Sequence, residues 1–132
     1  MSEKIKRSDA EWQAELTAEQ YSVLRQQATE RPFTGKYVDT KIQGTYACAA
    51  CGHDLFSSET KYNSGSGWPS FWDVVESGNV ELKEDNTHGM RRIEAVCGQC
   101  DSHLGHVFED GPSEKTGLRY CINSLALDLK DK

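Results

Sequence analysis

Nowhere in these 132 residues does an apolar run approach the roughly 20 residues a helix needs to cross a bilayer. A surplus of positive charge is missing too. Fifteen lysines and arginines stand against 21 aspartates and glutamates, for a net charge of −6 and a pI near 5.2. That balance argues against nucleic acids and anionic membranes as partners, because both select basic surfaces. The opening Met1–Arg7 is polar, with no apolar leader segment, so a reducing, cytoplasmic setting is expected. Structural disulfides are not expected there, and five cysteines then point to metal binding or catalysis. Apolar residues are scarce as well, at 36% with a mean hydropathy of −0.69, so the core can only be modest. A small polar domain of this kind commonly needs a staple.

Residues 1–36 read as a helical N-terminal segment of a single domain spanning 1–132, with a β core over 37–129. Ser8 with Glu11, and Thr17 with Gln20, have the spacing of two capping boxes. Tyr21, Val23, Leu24 and Ala28 follow at helical spacing, and Arg31-Pro32 is expected to stop the second helix. Beyond Tyr37, turn residues and short apolar clusters alternate, which is the pattern of a mainly β fold. Strands are predicted near Thr45–Cys48, Phe71–Val75, Val80–Glu84, Arg91–Val96, His103–Phe108, Arg119–Asn123 and Ala126–Leu129. Gly111–Gly117 reads as a polar loop, and His88 as a loop residue.

Cys48-Ala49-Ala50-Cys51 and Cys97-Gly98-Gln99-Cys100 are two CxxC knuckles. Each lets two thiolates hold one ion while backbone N–H groups point at the sulfurs. Together they supply the four soft ligands that suit one structural zinc ion. Residues 52–96 separate the knuckles, so the metal would tie together distant hairpins. Two dithiol redox motifs are the competing reading. His53, beside the first knuckle, is expected at the surface or behind the ligands.

Four cysteines assigned to metal leave Cys121. In a strand, alternation puts Arg119, Cys121 and Asn123 on one face and Leu118, Tyr120 and Ile122 on the other, which looks like core. A guanidinium beside a thiol favours the thiolate, so a lowered pKa is expected for Cys121. A buried, inert cysteine is an equally good local reading. His103 and His106 could move protons, but in an ideal strand they point to opposite faces. Both serve one site only if Gly105 allows a bulge or twist. Ser64–Trp72 is a glycine-rich turn without the Lys-Ser/Thr ending of a phosphate loop. Trp68 there is either a pocket rim or simply core.

Taken in order, these segments resemble the B-type methionine sulfoxide reductase family. The matching pieces are the paired knuckles, Gly65–Phe71, His103–Phe108 and Arg119–Ser124, within a resemblance from about Trp12 to Leu129. It implies two antiparallel β-sheets with short N-terminal helices and a structural zinc away from the active site. It also implies a monomeric enzyme that reduces the R epimer of methionine sulfoxide in peptides and proteins. Cys121 would be the nucleophile and would end as a sulfenic acid. His106 first, and His103, would lie near the sulfoxide oxygen. Asn123, Arg119 and Asp110 would shape and polarise the site, and Trp68 would pack on the substrate methyl group. Many members carry a recycling cysteine where this chain has Ser66. An external thiol, thioredoxin or a small thiol, is therefore expected as the reductant. A zinc-binding interaction module and a general dithiol oxidoreductase are the alternatives, and neither explains the Arg119–Cys121–Asn123 face.

Overall fold

The computed structural model describes residues 8–38, 40–76, 78–86 and 92–131; His88 and Arg91 lie outside them. Two short helices open the described chain, α1 (Asp9–Glu15) and α2 (Ala18–Gln26). Both expected capping boxes form, with Ser8 and Thr17 reciprocating with Glu11 and Gln20. The second helix ends before Pro32, however. Gln27 adopts the left-handed region at φ 59°, and the Ala28 N–H turns back to the Ser22 carbonyl.

Nine strands follow among the described residues: β1 (Gly44–Cys48), β2 (Asp54–Ser57), β3 (Lys61–Tyr62), β4 (Ser70–Phe71), β5 (Val80–Asp85), β6 (Arg92–Cys97), β7 (His103–Phe108), β8 (Arg119–Ile122) and β9 (Leu127–Asp131). They form two antiparallel sheets, ordered β2-β1-β9 and β3-β4-β8-β7-β6-β5. The mainly β fold with two sheets is as expected. The predicted strand Phe71–Val75 is not, because only Ser70–Phe71 is paired. Asp73 Oδ1 takes the Val74 N–H at 2.8 Å and bends the chain out of the sheet. Strands β2 and β3 have no counterpart in the sequence reading.

Aromatic side chains join the sheets. Phe56 of β2 stacks on Phe71 of β4 at 4.4 Å, Tyr46 of β1 meets Phe71 edge-on at 5.1 Å, and Tyr120 of β8 completes the group. Tyr46, Phe56 and Phe71 are fully buried. Each such ring contributes about 1.5–3 kcal/mol by leaving water. Trp12, Val23 and Leu24 seat the helices on this core. Arg25 stacks over Trp12 and donates to the Cys100 carbonyl at 2.8 Å, tethering α2 to the β6–β7 turn.

Strand β7 carries one irregularity. Ala95 pairs with Gly105 and Val96 with His103, so Leu104 is an extra residue opposite β6. A bulge of this kind resets the side-chain alternation and brings His103 and His106 to one face. Their rings lie 5.4 Å apart. The freed Leu104 carbonyl accepts from both the backbone N–H and the side-chain amide of Asn123, each at 3.0 Å. Gly105 is required beside it: a Cβ there would lie 2.0 Å from the Cys121 carbonyl oxygen.

Candidate active site and metal centre

The two knuckles sit at the β1–β2 and β6–β7 turns and bring their sulfurs together. Cys48 Sγ lies 3.7 Å from Cys100 Sγ, and Cys51 Sγ lies 3.6 Å from Cys97 Sγ. All four sulfurs fall within 4.8 Å of one another. A zinc–sulfur bond of about 2.3 Å implies a tetrahedral edge of about 3.8 Å, so the cluster is the size a single ion requires. Backbone donors point at the sulfurs, with Gln99 N–H 3.4 Å from Cys97 Sγ and the His53 N–H directed at Cys51. The His53 side chain is not part of the cluster. Hydrogen bonds among the sulfurs push Cys48 far above the ordinary thiol range and pull Cys100 far below it. Four thiolates this close would repel one another, and a bound cation would offset that repulsion.

The second site is built on β8. Arg119 and Cys121 are half-buried while Tyr120 and Ile122 face the core, so the predicted alternation holds over these four residues, and Asn123 lies buried just past the strand. Cys121 pairs with His106 across β7 and with Ser70 across β4. Cys121, Arg119, Asn123, His106, Trp68 and Ser66 line one pocket of about 200 Å³, together with Thr29, Arg92, Gly105 and Phe108. Trp68 is thus at a pocket wall, not in the core. Its indole N–H donates to the Glu30 carbonyl at 3.0 Å, which fixes the ring plane.

Asp110 meets the site at Arg119. It does not line the pocket; its exposed carboxylate grips Arg119 in a two-pronged pair, Nε to Oδ1 at 2.8 Å and Nη2 to Oδ2 at 3.2 Å. Arg119 in turn lies over the Phe108 ring at 4.5 Å. Asp110 is held below the usual carboxylate range by that guanidinium. Asn123 lines the pocket and also braces it: its Oδ1 accepts the Glu30 N–H at 3.0 Å while its amide donates to the Leu104 carbonyl.

His103 belongs to an adjoining cavity, which it shares with His106, Asp85 and Arg92. Its Nδ1 lies 2.7 Å from Glu94 Oε2, and Gln27 donates to the same oxygen at 3.0 Å. Burial pulls the His103 imidazole below its ordinary pKa, with Glu94 opposing. His106 Nε2 lies 2.8 Å from Asp85 Oδ2, and Arg92 stands 3.5 Å from that oxygen. Asp85, Glu94 and Glu30 are partners of these candidate residues that sequence reasoning missed. Each is one acid among 21, and only the register of β5, β6 and the N-terminal segment selects it.

The expected lowered pKa of Cys121 is overturned. Burial pushes the thiol up, outweighing the downward pull of the Ser66 hydroxyl and the Arg119 charge. Sequence adjacency revealed the cation but neither the depth of the sulfur nor the carboxylate that already engages Arg119.

The model of the SelR domain matches residues 16–131. The peptide methionine sulfoxide reductase MsrB of Methanosarcina mazei is 61% identical over 124 residues, covering 94% of this chain and 88% of the relative. Its namesakes from Chromohalobacter salexigens and Thiobacillus denitrificans are 56% and 55% identical, covering 98% and 100% of this chain and 97% and 99% of their own lengths. A domain match over nearly the whole chain, with relatives this similar along their full lengths, means that the chain belongs to the SelR family of MsrB-type methionine sulfoxide reductases.

Proposed function

We propose that this protein reduces the R epimer of methionine sulfoxide in peptides and proteins, with Cys121 as the attacking sulfur. The observation that carries the reading is the pocket itself. One half-buried cysteine lies beside Trp68 and directly across from His106, in a space fit for a single side chain. The indole face offers an apolar surface to the substrate methyl group. His106, steadied by Asp85, takes the Cys121 proton and returns it to the sulfoxide oxygen as sulfur attacks sulfur. Oxygen then shifts from the methionine sulfur to Cys121 as the transient S–S bond and the Met S–O bond both break, so one thiol and one sulfoxide become one sulfenic acid and one sulfide. Arg119 contributes fixed positive charge beside the developing oxyanion.

The preference for the R epimer rests on family membership. The sulfenic acid is reduced from outside, because Ser66 stands beside Cys121 and the other four cysteines are grouped elsewhere. Two external thiols, from thioredoxin or a small thiol, return Cys121 to the thiol and release a disulfide and water. Cys48, Cys51, Cys97 and Cys100 would hold one zinc ion, which supplies structural cross-linking of the two turns and takes no part in the chemistry. No helix among the described residues is long and apolar enough to cross a membrane.

The test is reduction of each epimer of a methionine sulfoxide peptide with dithiothreitol, in wild type and in Cys121→Ser. The R form alone is turned over, and the mutant loses that turnover by at least about a thousandfold. Equal use of both epimers, or an active mutant, would refute the assignment.

A further inference from the structure

Cys121 has an organised polar neighbour that the reaction above does not use. Ser66 Oγ lies 3.9 Å from Cys121 Sγ. Behind it the hydroxyls continue inward: Ser66 Oγ to Ser64 Oγ at 2.8 Å, then Ser64 Oγ to Ser70 Oγ at 2.7 Å. Ser70 is wholly buried and donates to the Trp68 carbonyl at 3.2 Å. Backbone N–H groups fill further lone pairs, Ser66 N–H on Ser64 Oγ at 3.3 Å and Trp68 N–H on Ser66 Oγ at 3.4 Å.

A hydroxyl has one hydrogen, so such a chain has a direction. With Ser70 donating to Trp68, Ser64 donates to Ser70 and Ser66 donates to Ser64. The remaining lone pair of Ser66 then faces the Cys121 S–H. When Cys121 becomes a thiolate, that arrangement presents a lone pair to an anion. One rotation of the Ser66 hydroxyl corrects this, giving its hydrogen to the sulfur, while Ser64 still receives the Ser66 N–H.

We propose that Ser66 is a reversible positioning partner of the nucleophile, accepting from the Cys121 thiol and donating to its thiolate, with Ser64 and Ser70 holding the rotor in place. The idea rests on Cys121 being the reactive sulfur, but its test does not require turnover. Ser66 is not the sole influence on that sulfur. Arg119, Asp110, His106, Arg92 and Tyr62 also face it or act on its charge, and they stay constant across the comparison.

The experiment is the pH dependence of iodoacetamide alkylation at Cys121, resolved by peptide mass spectrometry in the metal-loaded protein without substrate. Ser66→Ala is expected to raise the alkylation midpoint by about 0.5–1 pH unit, slowing alkylation about three- to tenfold below the midpoint. Ser66→Thr keeps the hydroxyl and should restore the wild-type curve. Ser64→Ala removes the acceptor that competes for the Ser66 hydrogen, so its midpoint stays at or below wild type. A Ser66→Ala midpoint equal to wild type, or an equal rise in Ser66→Thr, overturns the proposal. The shift in alkylation with no sulfoxide turnover in wild type would support the Ser66 role while removing the proposed reaction.

Discussion

Asn123→Ala tests how the N-terminal segment and β7 hold the pocket in shape. Asn123 is buried, and its side chain makes two bonds, Oδ1 to the Glu30 N–H and Nδ2 to the Leu104 carbonyl, both 3.0 Å long. The Leu104 carbonyl keeps the Asn123 backbone N–H after truncation, so it is not stranded. The Glu30 N–H is. An unsatisfied buried donor costs about 1–3 kcal/mol, and the second lost bond adds about 1 kcal/mol. The sum, about 2–4 kcal/mol, corresponds to a melting-temperature loss of about 7–14 °C for a chain of this length.

The loss of activity should exceed what unfolding explains. Glu30 also accepts the Trp68 indole N–H, and its carboxylate caps the Leu125 N–H at 2.9 Å, so freeing Glu30 frees one pocket wall. Leu104 is the bulge residue that aligns the two histidines, so loosening it frees the other. Melting is read by calorimetry, and kcat/KM well below the new melting point on a sulfoxide peptide. A melting temperature within about 2 °C of wild type would refute the count of buried bonds. A large melting loss with unchanged kcat/KM would refute the link from Asn123 to the pocket.

Acid sensitivity should follow His103. Its folded pKa lies below the ordinary 6.5, so between those values the unfolded chain binds a proton that the folded chain refuses. Stability therefore falls as pH drops through that window, and melting between pH 7.5 and 5 should be shallower in pH for His103→Asn; parallel slopes would exclude the histidine as the cause. Loss of a knuckle sulfur should be more severe: Cys48→Ser or Cys100→Ser is expected to release zinc and unfold the domain, as read by metal analysis and circular dichroism. A metal-free mutant with wild-type melting would show that the four sulfurs are not a structural metal site.

Much of the site was legible because chemistry-bearing residues fall in short, dense motifs. The knuckles, the Arg119–Cys121–Asn123 alternation and the two capping boxes each lie within a few residues, where local geometry dictates the outcome. What was missed depends on distant pairings. Asp85 reaches His106 only because β5 and β7 flank β6, and Glu30 reaches Asn123 across the width of the domain. Strand β2 was missed because Asp54–Ser57 is too short to display a period, and its identity comes from pairing with β1. The bulge was conditional in the sequence. Gly105 reads as a residue that could allow a bulge or twist, and the extra residue is its neighbour Leu104.

The reversal at Cys121 shows where local reading stops and tertiary electrostatics begins. Arg119 lies two residues from the sulfur, and in water such a cation would favour the thiolate. In the folded chain Asp110 already claims two prongs of the guanidinium fork, which removes much of the field that the sulfur would otherwise receive. Burial then decides the sign, because moving a thiolate out of water costs more than the residual attraction returns. A cysteine kept protonated is a weak target for oxidants and electrophiles in general. Under the proposed reaction, reactivity would then be conditional on a bound sulfoxide whose oxygen can receive the proton through His106. On that proposal the pocket would combine two properties that oppose each other in an exposed thiol, stability toward stray oxidation and attack on a chosen sulfur.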